Sequence, residues 1–173
     1  MAKRITFSAI SMALTVICLY GAAFLPTGRL AALALSSVFV TICVYQYGWR
    51  YGTVVFLGAS VLALLFIPNR MLTVVYILFA GHYPIIKLFI EQLDRLWLEW
   101  VLKFLYFNLM LIVMYILFKL FVVPSVDSVV VSLVLHYLAV VILALEVIFA
   151  FFDWALSHML SYYDTFLRRI HYE

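Results

Sequence analysis

Apolar residues run through this chain in long stretches broken by short clusters of charged residues, glycine and proline. Six stretches fall near residues 5–25, 30–47, 51–67, 71–90, 101–123 and 126–152. Each is close to the ~20 residues that an α-helix needs to cross ~30 Å of hydrocarbon. The breaks between them carry turn signals. They are Pro26-Thr27-Gly28-Arg29, Gly48-Trp49-Arg50, Pro68-Asn69-Arg70, the charged run Glu91-Gln92-Leu93-Asp94-Arg95, and Pro124-Ser125. The pattern predicts an all-α fold, a polytopic membrane protein built as a six-transmembrane-helix bundle, with residues 1–173 forming one integral membrane domain.

Two further segments have amphipathic patterns. Leu93, Leu96, Trp97 and Trp100 recur at helical spacing, with Asp94, Arg95 and Glu99 elsewhere around the helix. This predicts a short helix at the membrane surface between the fourth and fifth spans. Beyond Phe152, Leu156, Leu160, Tyr163, Leu167 and Ile170 recur at steps of three and four, while Asp153, Ser157, Ser161, Asp164 and Arg168 take other faces. Residues 153–171 are therefore expected to form an amphipathic helix that continues the sixth span or bends along the membrane.

Composition agrees with the pattern. The chain is 69% hydrophobic and 11% charged, with mean hydropathy +1.20, where a soluble domain carries roughly 25% charged residues. Little sequence is left for a water-soluble domain. The net charge of +3 does not suggest nucleic acid; its placement says more. With the N-terminus inside, the cytoplasmic side receives Lys3, Arg4, Arg50, Lys87, Arg95, Lys103, Arg168 and Arg169, and the outer side only Arg29, Arg70 and Lys119. That bias places both termini in the cytoplasm of a multi-pass protein of the cell membrane, expected to be a bacterial plasma membrane. The start, Met-Ala-Lys-Arg before an apolar run, looks like a signal peptide but reads better as a first helix that is kept. Cys18 and Cys43 fall mid-span, where thiols are packing residues, so no disulfide, metal site or cofactor is expected.

Several residues could carry function. Ala9 and Ala13 stand four apart in the first span, beside Ser8, and small residues at that spacing let another helix approach closely. The neighbour is either a helix of this chain or a partner's. Ala32 and Ser36 form a weaker pair of the same kind. Gly81-His82-Tyr83-Pro84 interrupts the fourth span. Proline frees carbonyls about one turn earlier, and interrupted membrane helices often build binding sites. Here the break is either a kink satisfied by Thr73, Tyr76 or a neighbouring helix, or a site in which His82 contacts a ligand or carries a proton. Lys87 and Glu146 are intramembrane charges at similar depth, and each is costly if unpaired. They are expected to pair with each other, or to find other partners such as Glu91 or Asn108. Arg29, Asn69 and Arg70 sit at the outer ends of spans, as interfacial anchors or as a cationic rim for an anionic solute. Tyr76, Tyr83, Tyr115 and Tyr137 offer aromatic surface. No phosphate-binding loop, His-Glu-x-x-His motif or paired carboxylate set is present, so the chain is not expected to be an enzyme, and ATP-driven transport would need partners.

Three features together resemble the substrate-binding S component of energy-coupling factor (ECF) transporters. One is a small six-span chain with a basic N-terminus inside, and another is the pair Ala9 and Ala13 early in the first helix. The third is Tyr47-Gly48-Trp49-Arg50-Tyr51-Gly52, followed by Gly58, Ala59 and Ser60, which is similar to the family's glycine-bounded turn and small-residue third helix. The resemblance covers about Lys3 to Ile67. It implies uptake of a vitamin-like small solute, with a membrane coupling subunit docked on Ala9 and Ala13 and two partner ATPases supplying energy. Position alone then assigns Arg29, Asn69, Arg70, Tyr76 and His82 to the ligand region. Two other readings stay open. One is a structural subunit of a cell-envelope assembly complex, resembling the MreD family and without a ligand. The other is a lipid-modifying enzyme, which requires Glu146, His82 and His136 to converge.

Overall fold

The computed structural model describes residues 2–25, 27–93, 95–121 and 137–171, and the described residues are helical almost throughout. The helices are α1 (Ala2–Phe24), α2 (Arg29–Tyr47), α3 (Trp49–Phe66), α4 (Arg70–Val75), a π-helical turn (Tyr76–Ala80), α5 (Tyr83–Glu91), α6 (Leu96–Phe121) and α7 (Leu138–His171). With α4, the π turn and α5 counted as one interrupted span, six segments among the described residues are long and apolar enough to cross a membrane. The expected start of the sixth span near Val126 lies outside the described residues, as does His136.

One expectation changes. The surface helix anticipated around Leu96, Trp97 and Trp100 is the opening of the 26-residue α6. Its aromatic and charged residues occupy the first turns of a spanning helix, and nothing breaks the helix before Val101. The amphipathic tail takes the first of its two expected courses and continues the sixth span: α7 runs unbroken for 34 residues, about 51 Å at 1.5 Å per residue, well beyond a bilayer core.

The chain divides into two compact units, residues 1–94 with 155–173, and residues 95–154. In the first, α1, α2 and α3 pack on one another, and α2 also meets the π turn and α5. Between apolar helices in lipid, association rests on close packing and hydrogen bonds, since the tails are as apolar as the side chains. The chain supplies small residues accordingly. Gly52 of α3 lies against Val44 of α2, where a Cβ would collide with the branched side chain, and Gly58 lies against the flexible end of Met12 of α1. Gly48 alone joins α2 to α3. It has φ 87°, a left-handed conformation open to glycine, and its N–H returns to the Val44 carbonyl. The core gathers Leu19, Ala22, Leu33, Ala59, Ala63, Ile67, Leu72, Tyr76 and Ala80.

In the second unit, α6 and the first half of α7 run together. Phe107 stacks on Phe149, with centroids 4.5 Å apart and planes 6° from parallel. On one side of this stack, Lys103 meets Asp153 at 3.0 Å, with side chains 6% and 4% exposed. On the other, Asn108 Nδ2 donates to Glu146 Oε1 at 3.2 Å. Positions 146, 149 and 153 lie three and four apart, hence on one face of α7. The face is a polar–aromatic–polar stripe that fixes the register of the pair.

Candidate functional site

The break in the fourth span is built by accounting for backbone groups. Pro84 stands in the first turn of α5. It has no N–H, so the Ala80 carbonyl four residues earlier loses its helical partner. Ser37 of α2 replaces that partner, its hydroxyl donating to Ala80 O at 2.8 Å. The preceding turn widens to π geometry, with the Gly81 N–H reaching back five residues to Tyr76 O at 2.7 Å. The His82 ring turns onto the same segment, with Nδ1 3.0 Å from Ile77 O. A carbonyl only accepts, so this nitrogen carries the proton. The kink is thus satisfied by α2 and by His82.

Above the break the interior is aromatic. Tyr76 is fully buried. Its ring lies 6.2 Å from Phe56, which in turn lies 5.8 Å from His82, and Phe79 stacks on Tyr83 at 5.7 Å. The tip of the Tyr76 ring covers Gly81: a Cβ at that glycine would lie 2.8 Å from Tyr76 Cζ and 2.6 Å from the Phe56 ring. The Tyr76 hydroxyl itself has no hydrogen-bond partner among the described residues. Every backbone group freed by the break and traced above is answered, and the hydroxyl beside them is not. A buried hydroxyl left without a partner costs about 1–3 kcal/mol. Tyr76→Phe should therefore unfold at higher temperature than the native chain when both are purified without added solute. A lower unfolding temperature would instead mean that the hydroxyl holds a water or a carried-over solute.

Tyr76 and His82 are brought together across Phe56. Arg29, Asn69 and Arg70 are each occupied at a helix end. Arg29 Nε donates to Leu25 O, just past α1, at 2.9 Å. Arg70 donates to Leu64 O in the last turn of α3. Asn69 caps α4, its side-chain oxygen accepting from Leu72 N at 3.2 Å. Each bond ties its side chain to a helix end. Lys87 is buried and pairs with Glu91 at 2.6 Å and Ser157 at 2.8 Å, while Glu146 meets Asn108. The i, i+4 spacing gives Lys87 a carboxylate on its own helix, which removes the need for a distant one.

Ala9 and Ala13 lie on the exposed side of α1. The face that α1 buries runs through Ser8, Ser11, Thr15, Leu19 and Ala22. Ser8 Oγ lies 3.5 Å from Cys43 Sγ, and Thr15 Oγ1 lies 3.5 Å from Ser36 O. The two alanines lie beside this serine and threonine stripe rather than in it. In the second span Ser36 is fully buried and Ala32 packs on the core.

Three contributors escaped the sequence reading: Ser37, Phe56 and the Lys103–Asp153 pair. Ser37 is one of many hydroxyl residues in apolar helices, and nothing local marks it as the partner of Ala80. Lys103 and Asp153 were legible only as charges interrupting apolar helices, a signal that such residues face inward and pair. Among the described residues, no group of three or more metal-ligating side chains comes together. No family model, curated protein or solved structure matches the chain.

Proposed function

We propose that the chain is the substrate-binding membrane subunit of an ECF-type uptake transporter, taking up a vitamin-like small solute at the break in the fourth span. The observation that carries this reading is the Tyr76 hydroxyl, fully buried beside His82 and Phe56 without a partner. A broken membrane helix with one unanswered polar group suits a solute that brings its own hydrogen-bonding atom. Tyr76 and His82 are the ligand residues of this reading; Arg29, Asn69 and Arg70 frame the helix ends around it. The exposed Ala9 and Ala13 leave a shallow strip on α1 for the coupling subunit, and two ATPases bound to that subunit supply the energy. The protein works with both termini in the cytoplasm and performs no chemistry of its own.

A structural envelope subunit of the MreD kind is the second reading. It is favoured by Arg29, Asn69 and Arg70, whose side-chain hydrogen bonds among the described residues go to helix ends rather than to a shared site.

Affinity purification of the tagged chain from its own membranes separates the two. The native chain is expected to bring down a coupling subunit and an ATPase pair. Ala9→Trp/Ala13→Trp, which places two indoles on an exposed face and leaves the fold intact, is expected to lose them. Envelope-synthesis proteins retained by both forms would replace the transporter reading with the structural one.

A further inference from the structure

The turn between α4 and α5 is held by two bonds that do not belong to its own helical ladder. In a continuous α-helix the Gly81 N–H would take the Ile77 carbonyl, four residues back. Here it takes Tyr76 O, five residues back, at 2.7 Å. Ile77 O meets His82 Nδ1 at 3.0 Å, so an imidazole stands in for the backbone donor. Ala80 O accepts from Ser37 of α2 at 2.8 Å. The π register is therefore braced by two side chains, one from within the span and one from a neighbouring helix.

The backbone by itself does not favour this register, since π turns inside α-helices are rare. Nor does it block the other one. Val75, Tyr76, Gly81 and His82 all have right-handed helical angles, with φ from −61° to −101°, so the α register requires no residue to cross a forbidden region. The extra residue of a π turn must be absorbed elsewhere, and the span has a place for it. Pro84 interrupts the ladder just beyond, and residues 81–82 already form a turn there. On the far side, Ile85 and Ile86 both donate to His82 O, at 3.0 and 3.3 Å, which anchors the start of α5.

We propose that residues 76–81 are a two-position hinge and that the His82 imidazole is its catch. With the Nδ1–H on Ile77 O, the turn stays in the π register. When the ring leaves, the Gly81 N–H returns to Ile77 O, the turn tightens to α, and the extra residue passes to the break before Pro84. One residue of register is about 100° of rotation and about 1.5 Å of rise. Residues 77–81 then rotate against α5. Ala80 O leaves Ser37, and the Phe79 ring leaves Tyr83, on which it stacks at 5.7 Å in the π register. His82 is a positioning residue that acts through Ile77. The hinge rests on the hydrogen bonds of this one span and of Ser37, and not on the transporter reading.

The stack on Tyr83 supplies the readout. With para-trifluoromethylphenylalanine in place of Phe79 in the full chain, the fluorine NMR resonance senses the Tyr83 ring, and Tyr83→Leu shows where that resonance lies without it. The native chain is expected to give a major resonance shifted by Tyr83 and a minor one near the Tyr83→Leu position. His82→Leu removes the donor and should raise the minor-to-major ratio roughly tenfold, the scale of one lost hydrogen bond. His82→Asn, whose side-chain amide places an N–H close to where Nδ1 was, should bring the ratio back toward the native value. Ser37→Ala should raise the ratio in the same way, and it carries the test if His82→Leu does not fold. Unfolding temperatures check that each labelled chain is intact. A ratio unchanged in folded His82→Leu, a ratio unchanged in Ser37→Ala, or a ratio that His82→Asn leaves at the His82→Leu value would each overturn the proposal.

Discussion

Lys103→Leu should destabilise the chain by about 3–5 kcal/mol, while Lys103→Leu/Asp153→Leu should cost little or even stabilise. The pair is 3.0 Å apart with both side chains almost fully buried. Removing the lysine leaves a buried carboxylate without the cation that lies 3.0 Å from it. Replacing both members puts apolar side chains of similar volume between helices that are already apolar, and no charge remains to desolvate. The cation also lies 5.7 Å from the Trp100 ring, so the single variant loses a second favourable contact. Unfolding of the detergent-solubilised chain, run as a double-mutant cycle, measures the coupling. If the double variant lost as much as the sum of the two singles, the pair would not be an energetic unit.

Gly81→Ala should lower stability by about 1–3 kcal/mol, against the usual gain from placing alanine in a helix. Gly81 has φ −77°, which any residue adopts, so the requirement is for space. The added methyl would sit 2.6 Å from the Phe56 ring and 2.8 Å from Tyr76 Cζ. Tyr76 is fully buried and Phe56 packs against the core, so neither ring can swing away without disturbing its neighbours. Gly21→Ala is the internal control: its Cβ would meet open space, and the substitution is expected to be neutral or to stabilise by up to about 1 kcal/mol. Thermal unfolding of the two variants beside the native chain decides it. Equal behaviour would mean that the rings over Gly81 are loosely held, and the Tyr76 site with them.

The six apolar helices were legible because each requirement for crossing lipid is local: enough apolar residues in a row, then a residue that stops the helix. Gly48 and Pro84 mark their breaks for the same reason, one through φ and the other through its missing N–H. The kink at Gly81-His82-Tyr83-Pro84 was therefore placed correctly along the chain, but the donor that completes it was not, because Ser37 comes from another helix. Ala9 and Ala13 illustrate the reverse. Their spacing said that something could pack there, and the adjacent stripe of Ser8, Ser11 and Thr15 turned out to be the face that α1 buries. A rotation of about 100° per residue separates the two faces, and composition alone does not choose between neighbouring small residues.

By itself, the sequence determined that this chain builds helices long and apolar enough to span a membrane, where those helices stop, and which positions carry costly charge. Those are properties of single segments in contact with lipid. Only the tertiary structure decided how the charges are answered: Lys87 by Glu91 and Ser157, Lys103 by Asp153, and Glu146 by Asn108. It also left Tyr76 as the buried hydroxyl at the break. The physical reason is that a polar group in hydrocarbon must find a partner, and every nearby helix offers several. Sequence spacing sets which residues share a face, but the partner is fixed only when two faces are brought into register.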